Sequence, residues 1–312
     1  MSPHDNAAWH FLHRHLAEGR GDRLAFQDPH RRLTYAALAA AAARFAAALH
    51  AAGIGHERRI ALVLLDTVDF PVAFWGALTA GVVPVPVNTM LTPDQTAYIL
   101  ADSRAEALVV SAPLAAPLRP LLGQLPALRQ VVVAAPDGTT PTLNGPVLDG
   151  PALTDPVLGA PALNVPPLGA PAFNTPTPDG PTRDGPASNT PTGTAVNEIT
   201  WDAFLATGTA PRDPVAVSPD EVAFWLYSSG STGLPKGARH VHSSLRATAD
   251  TYAAQVLGIA ADDLVFSAAK LFFAYGLGNA MTFPMAVGAS AVLLPDRPTP
   301  DAVLATMTRF QP

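Results

Sequence analysis

Val222-Ala223-Phe224-Trp225-Leu226-Tyr227-Ser228-Ser229-Gly230-Ser231-Thr232-Gly233-Leu234-Pro235-Lys236-Gly237 is the stretch whose reading decides the fold. Residues 222–227 are an unbroken apolar run, the pattern of a buried strand. A loop of glycines and hydroxyls follows at once. Gly230, Gly233 and Gly237 permit backbone conformations that aim N–H groups into a concave nest. The hydroxyls of Ser228, Ser229, Ser231 and Thr232 can donate to phosphate oxygens. Lys236 puts a positive charge at the end of the loop. The pattern is not a P-loop, which needs Gly-Lys followed by Ser or Thr; here Pro235 precedes Lys236 and Gly237 follows it. The competing reading is a flexible Gly/Ser turn, which Pro235 and the abutting strand argue against.

Outward from this loop, residues 197–312 continue as α/β. Ile199–Leu205 leads in, a helix is expected near His242–Leu257, and Asp262–Ser267 and Ala289–Leu294 are strands. Gly276–Val287 is apolar and helical in character, interrupted by Pro284. Thr299 or Pro300 opens a last helix to Phe310. Residues 1–135 alternate in the same way. A short amphipathic helix is expected over Asn6–Leu16 and a strand over Leu24–Phe26. Thr34 caps a long Ala-rich helix, Tyr35–Ala52, ended by Gly53. The strand Arg59–Leu65 precedes a helix over Val68–Ala80 with Gly81 as its stop. Val82–Val87 is a strand whose Pro84 and Pro86 argue for an edge or an irregular one. Thr92 caps a helix to Ala101 with Pro93 at its first position. Strands at Leu108–Val110 and Gln130–Ala134 flank a helical stretch near Leu114–Leu125. This alternation predicts an α/β fold of mostly parallel sheets flanked by helices.

Between the blocks, prolines stand at 136, 141, 146, 151, 156, 161, 166, 171, 176, 181, 186 and 191, every fifth residue without a break. Proline at that density removes backbone donors and opposes both helix and ladder, so the tract is expected to be a disordered insertion. A solenoid with five residues per side is the alternative, and it needs the strand pairing that these prolines oppose. The expected organisation is a first α/β subdomain over 1–135, the insertion over 136–196, and a second α/β subdomain over 197–312 that carries the loop.

Composition excludes several classes. The 312 residues contain no cysteine, which removes disulfides, thiolate metal sites and a cysteine nucleophile. The formal net charge is −6, and no face concentrates basic residues, so no nucleic-acid partner is expected. No signal peptide and no membrane span is evident, which makes the cytoplasm the expected location. His240 and His242 lack further metal partners and read as structural, and no metal site is assigned. Asp66, Asp69, Asp262 and Asp263 read as solvated turn and cap carboxylates. The only lysines are Lys236 and Lys270.

Residues 227–237 resemble the signature of the adenylate-forming superfamily of acyl- and aryl-CoA ligases, amino-acid adenylation domains and luciferases. Phe266-Ser267-Ala268-Ala269-Lys270-Leu271-Phe272-Phe273-Ala274-Tyr275-Gly276-Leu277-Gly278-Asn279 resembles the segment that lines the acid pocket of benzoate-CoA ligases, and residues 283–300 also look like that subfamily. The resemblance implies attack of a carboxylate on the α-phosphate of Mg²⁺-bound ATP, giving an acyl-adenylate. Displacement of AMP by coenzyme A then gives an aryl-CoA thioester. It implies that Ser228, Ser229, Gly230, Ser231, Thr232, Gly233, Lys236 and Gly237 hold the ATP phosphates, with Lys236 neutralising their charge during catalysis. It implies that Phe273, Ala274, Tyr275 and Gly276 contact the aryl acid. From composition alone these aromatics would read as ordinary core. Lys270, beside them, is either an attractor for the incoming carboxylate or a solvated surface lysine.

In the family, a Tyr-Gly-x-Thr-Glu segment whose Glu holds Mg²⁺, an Asp for the ribose and a small lid domain with its own lysine come later. None appears before Pro312, so the sequence is expected to be the N-terminal portion of the large domain, incomplete and without the lid. Two other readings stay open. One is an adenylating enzyme for fatty or amino acids; the other is an inactive fragment acting as a binding module. The sequence sets no oligomeric state.

Overall fold

Alternate residues of the apolar strands sort to opposite faces of one sheet, and that sorting organises the molecule. The computed structural model describes residues 1–139, 196–228 and 235–312. Among these residues the strands are β1 (Leu24–Gln27), β2 (Arg32–Thr34), β3 (Arg59–Val63), β4 (Val83–Pro86), β5 (Ala107–Ser111), β6 (Gln130–Ala134), β7 (Asn197–Thr200), β8 (Val222–Ser228), β9 (Lys236–Val241), β10 (Leu264–Phe266) and β11 (Ser290–Val292). The proline tract from Pro141 to Pro191, with its expected disorder, lies outside the described residues.

A parallel sheet runs in the order β4-β3-β5-β6-β7. Ile60, Leu62, Ala107, Val109 and Val132 pack on one face with the helices Tyr35–Ala51 and Asp69–Thr79. Ala61, Val63, Leu108, Val110, Val131 and Val133 pack on the other with the helix Pro93–Asp102 and the segment around Leu118–Leu128. Both faces are covered, as a parallel sheet requires, which is why its strands look uniformly apolar. Pro84 and Pro86 are tolerated because of side: Val83 and Val87 donate to the carbonyls of Arg58 and Leu62, so the intervening prolines turn their missing donors away from β3.

A second sheet, in the order β10-β11-β1-β2, is parallel except for the β1–β2 hairpin. The third is the antiparallel hairpin β8–β9, which lies against β4. Strands of both sequence blocks share sheets. β7, after the proline tract, joins β6, and β10 and β11, late in the chain, join β1.

The helix ends follow local chemistry. Thr34 Oγ1 accepts from Ala37 N–H, and Thr92 and Gln95 form a reciprocal capping box. Gly53 and Gly81 stop their helices at φ +72° and +70°. Gly76 is where the helices Tyr35–Ala51 and Asp69–Thr79 touch: a Cβ there would meet Phe45 at 2.8 Å and the Ala42 carbonyl at 2.9 Å. The expected helix near Leu114–Leu125 is two separate turns, Ala112–Ala115 and Arg119–Leu122, with Pro117 standing in the break between them.

Asp66 and Asp69 are not solvated: both are buried, in the turn that leaves β3. Asp69 takes a two-pronged contact from Arg31 at 2.7 and 2.8 Å. Arg31 also reaches Asp28, whose other contacts include the Val68 N–H. Asp66 accepts from the Leu271 N–H at 3.2 Å and faces Lys270 Nζ at 4.0 Å. This turn therefore fastens the first sheet to the second. Burial raises the Asp66 pKa to about 7, with Lys270 and the Leu271 amide opposing it.

Two outcomes follow from this packing. Gly76→Ala is expected to lower stability by about 1–3 kcal/mol, since neither neighbour is a flexible tip; unchanged chemical denaturation would contradict that. The raised Asp66 pKa means the folded state favours the protonated acid. Its contribution is full below the ordinary carboxylate range and is lost as the pH rises through about 7. Asp66→Asn should therefore gain stability relative to the parent between about pH 5 and pH 8. Parallel pH profiles for the two proteins would show that the carboxyl is not shifted.

Candidate active site

The β8–β9 hairpin presents the loop. Ser228 and Lys236 face each other at its tip, both exposed. Ser229, Gly230, Ser231, Thr232 and Gly233 lie outside the described residues. Gly237 lies close under the Tyr227 and Trp225 rings: a Cβ there would meet them at 3.0 and 3.2 Å. Tyr227 in turn donates its hydroxyl to Asp102 Oδ2 at 2.5 Å, which ties the hairpin tip to the end of the helix Pro93–Asp102. Burial and the Asp102 carboxylate both raise the Tyr227 pKa, so the phenol stays a donor.

At the other end of the hairpin, Phe224 pairs with His240, and their rings stack at 4.5 Å and 8°. They border a pocket of about 130 Å³ whose other walls include Leu245, Ala274, Leu277 and Phe283. An apolar cavity of about 150 Å³ is enough to hold benzene, so this pocket has the size of one aromatic ring. Burial lowers the His240 pKa, which keeps the imidazole neutral against the ring space. Lys236 and His240 are four residues apart on β9, about 13 Å along an extended strand. Charge at the tip and an apolar slot at the base are thus held on one rigid ribbon.

The sequence-predicted acid residues divide. Ala274 lines the ring-sized pocket. Phe273 and Lys270 instead line a larger cavity of about 740 Å³, with Leu65, Met90, Phe272 and Arg297. Tyr275 is 69% exposed. Gly276 is buried, and a Cβ there would lie 2.1 Å from the Lys270 carbonyl oxygen, so glycine is dictated by the backbone beneath it. The larger cavity sits where Leu65, Met90, Leu114 and Pro295 leave β3, β4, β5 and β11. That is the carboxyl edge of both parallel sheets, the usual ligand position in open α/β folds.

Lys270 is not a solvated lysine: its side chain is 13% exposed. Its ammonium donates to the carbonyls of Leu294 and, at 2.6 Å, Asp296. His242, read as structural, opens the helix His242–Thr248 and accepts from the Ala7 N–H at 3.1 Å, and burial lowers its pKa to about 4. Phe224 was missed as a site residue, and His240 was read as structural. The available signal was alternation: on either side of the loop, β8 and β9 each send one ring to the same face. Among the described residues no group of three or more His, Asp or Glu is placed to hold a metal ion. Nor is any helix among them long and apolar enough to cross a membrane.

The model of the family described as AMP-binding enzyme matches residues 13–312. The chain is 42% identical over 307 residues to a 4-hydroxybenzoate–CoA/benzoate–CoA ligase of Rhodopseudomonas palustris, covering 98% of this chain and 46% of that one. It is 38% identical over 308 residues to a benzoate–CoA ligase of Thauera aromatica, covering 98% and 47%. The crystal structure of a benzoate CoA ligase from Burkholderia xenovorans LB400 superposes with a TM-score of 0.72 at 35% identity, over 98% of this chain and 49% of that one. The chain thus spans just under half the length of these relatives. With the signature loop on a β-hairpin, the parallel sheets beside it and these matches, the chain belongs to the AMP-binding enzyme family.

Proposed function

We propose that the protein carrying this chain is an acid–thiol ligase that activates benzoate or a closely related aryl carboxylate with ATP and transfers the acyl group to coenzyme A. The observation that carries the reading is the hairpin itself, with a phosphate-binding signature at its tip and a ring-sized slot at its base. The 130 Å³ slot suits one aromatic ring better than a long acyl chain. The relatives named as benzoate- and hydroxybenzoate–CoA ligases support the same class.

In this reading a carboxylate oxygen attacks the α-phosphorus of ATP and pyrophosphate leaves. The thiol of CoA then attacks the acyl carbon and AMP leaves. Charge grows on the departing pyrophosphate oxygens, so donors already aimed at them lower the barrier. Ser228, Ser229, Gly230, Ser231, Thr232, Gly233 and Gly237 supply hydroxyl and backbone donors to the phosphates, and Lys236 neutralises the charge. Phe224, His240 and Ala274 hold the ring, while Phe273, Tyr275 and Gly276 complete the acid-binding segment. Mg²⁺ belongs to this chemistry as a companion of the ATP phosphates, but the described residues offer it no ligand cluster, and no step is assigned to it. The cytoplasm, where ATP and CoA are both available, is the proposed location.

The test is benzoate-dependent exchange of pyrophosphate into ATP. Lys236→Ala is expected to reduce the exchange rate by about 10²–10³-fold, the scale of losing one charge-stabilising donor, with the protein still folded. An unchanged rate would remove Lys236 from the phosphate site. No exchange by the parent protein with benzoate or any hydroxy- or aminobenzoate would overturn the aryl-acid reading.

A further inference from the structure

Lys270 has an environment that the expected role of carboxylate attractor does not explain. Its side chain is 13% exposed, at the wall of the larger cavity, and its ammonium is occupied by backbone acceptors. It donates to the carbonyls of Leu294 and Asp296, and the Pro295 carbonyl lies 3.4 Å away. Behind it stands the buried Asp66, 4.0 Å from Nζ, which also accepts the neighbouring Leu271 N–H at 3.2 Å. An incoming carboxylate would have to displace one of these carbonyls.

The carbonyls that Lys270 holds belong to the segment leaving β11. Its own backbone begins the acid-binding segment. The Lys270 carbonyl accepts the Phe273 N–H at 3.0 Å, and the Phe273 carbonyl accepts the Leu277 N–H at 2.8 Å. Gly276 lies close against the Ala269 and Lys270 carbonyls, where a Cβ would meet them at 2.5 and 2.1 Å, so the turn folds back on its own start. These two segments are also two walls of one cavity: Ala268, Ala269, Phe272 and Phe273 on one side, Pro295, Arg297 and Pro298 on the other. Lys270 is the side chain that bridges them.

We propose that Lys270, backed by Asp66, is a positioning residue that latches the 268–277 segment to residues 294–296. The latch sets the separation of the two cavity walls and the placement of Ala274 on the ring-sized pocket. Lys270 acts on the acid through this backbone and does not touch it. The proposal rests on the aryl-acid reading for its consequence in binding, but the latch itself is a statement about this chain's fold.

The decisive comparison uses Lys270→Met, which keeps the stem and removes the charge, with benzoate and its neutral analogue benzamide as probes. A latch predicts that both bind more weakly by the same factor, at least about tenfold, because the pocket wall is displaced for either ligand. It also predicts faster hydrogen exchange at the Leu271 and Phe273 amides, a readout that needs no activity. Weakening of benzoate with benzamide unchanged would overturn the latch in favour of a direct ion pair. Unchanged exchange at both amides would also overturn it. Lys270→Gln, which loses the charge but keeps a polar end, should give the same pattern at smaller amplitude and serves if Lys270→Met fails to fold. If the parent protein binds neither probe, the aryl-acid reading fails, and the amide exchange still decides whether the latch exists.

Discussion

The turn that leaves β3 carries the interaction on which the rest of the structure depends. Asp66, Val68 and Asp69 all reach outside their own sheet, to Lys270 and Leu271, to Asp28, and to Arg31 respectively. Burying two carboxylates is costly unless each is matched by charge or N–H donors, and here each match comes from the second sheet. The two sheets are therefore registered by polar contacts of defined geometry and not by apolar packing alone, which tolerates sliding. Removing Arg31 or Lys270 singly would leave a buried carboxyl without its match.

From that junction the layout follows. The carboxyl ends of the parallel strands open on one edge, where the 740 Å³ cavity lies. The β8–β9 hairpin stands against the outer strand of the first sheet, braced by Tyr227 on Asp102. Its tip carries Ser228 and Lys236, and its base carries the stacked Phe224 and His240. The two ends of one ribbon thus differ in chemistry, charged and hydroxylated at the tip and aromatic at the base.

Much of this was legible in the residues. Thr34, Thr92 and Thr299 announced their helices through side-chain geometry that is local, and Gly53 and Gly81 announced the ends. Pro84 and Pro86 pointed to an edge strand because a missing donor has only one tolerable side. The signature loop was legible because its glycines and hydroxyls are contiguous. What was hidden depends on pairing across the chain. β7 is short, and β9, Lys236–Val241, is polar and largely exposed; its strand character comes from β8 opposite it. The burial of Asp66 and Asp69 could not be read locally, because their partners lie 205 and 38 residues away. Lys270 looked like a free cation for the same reason: its acceptors are backbone carbonyls, which no side-chain pattern reveals.

The central claim is that the ring of an aryl acid sits at the base of the β8–β9 hairpin while the phosphates sit at its tip. The most direct test is a crystal structure of the protein with a non-hydrolysable benzoyl-adenylate analogue. The account predicts the aryl ring between the Phe224–His240 stack and Ala274, with the adenylate running toward Lys236. A ring bound instead in the larger cavity against Phe272 and Phe273 would contradict it.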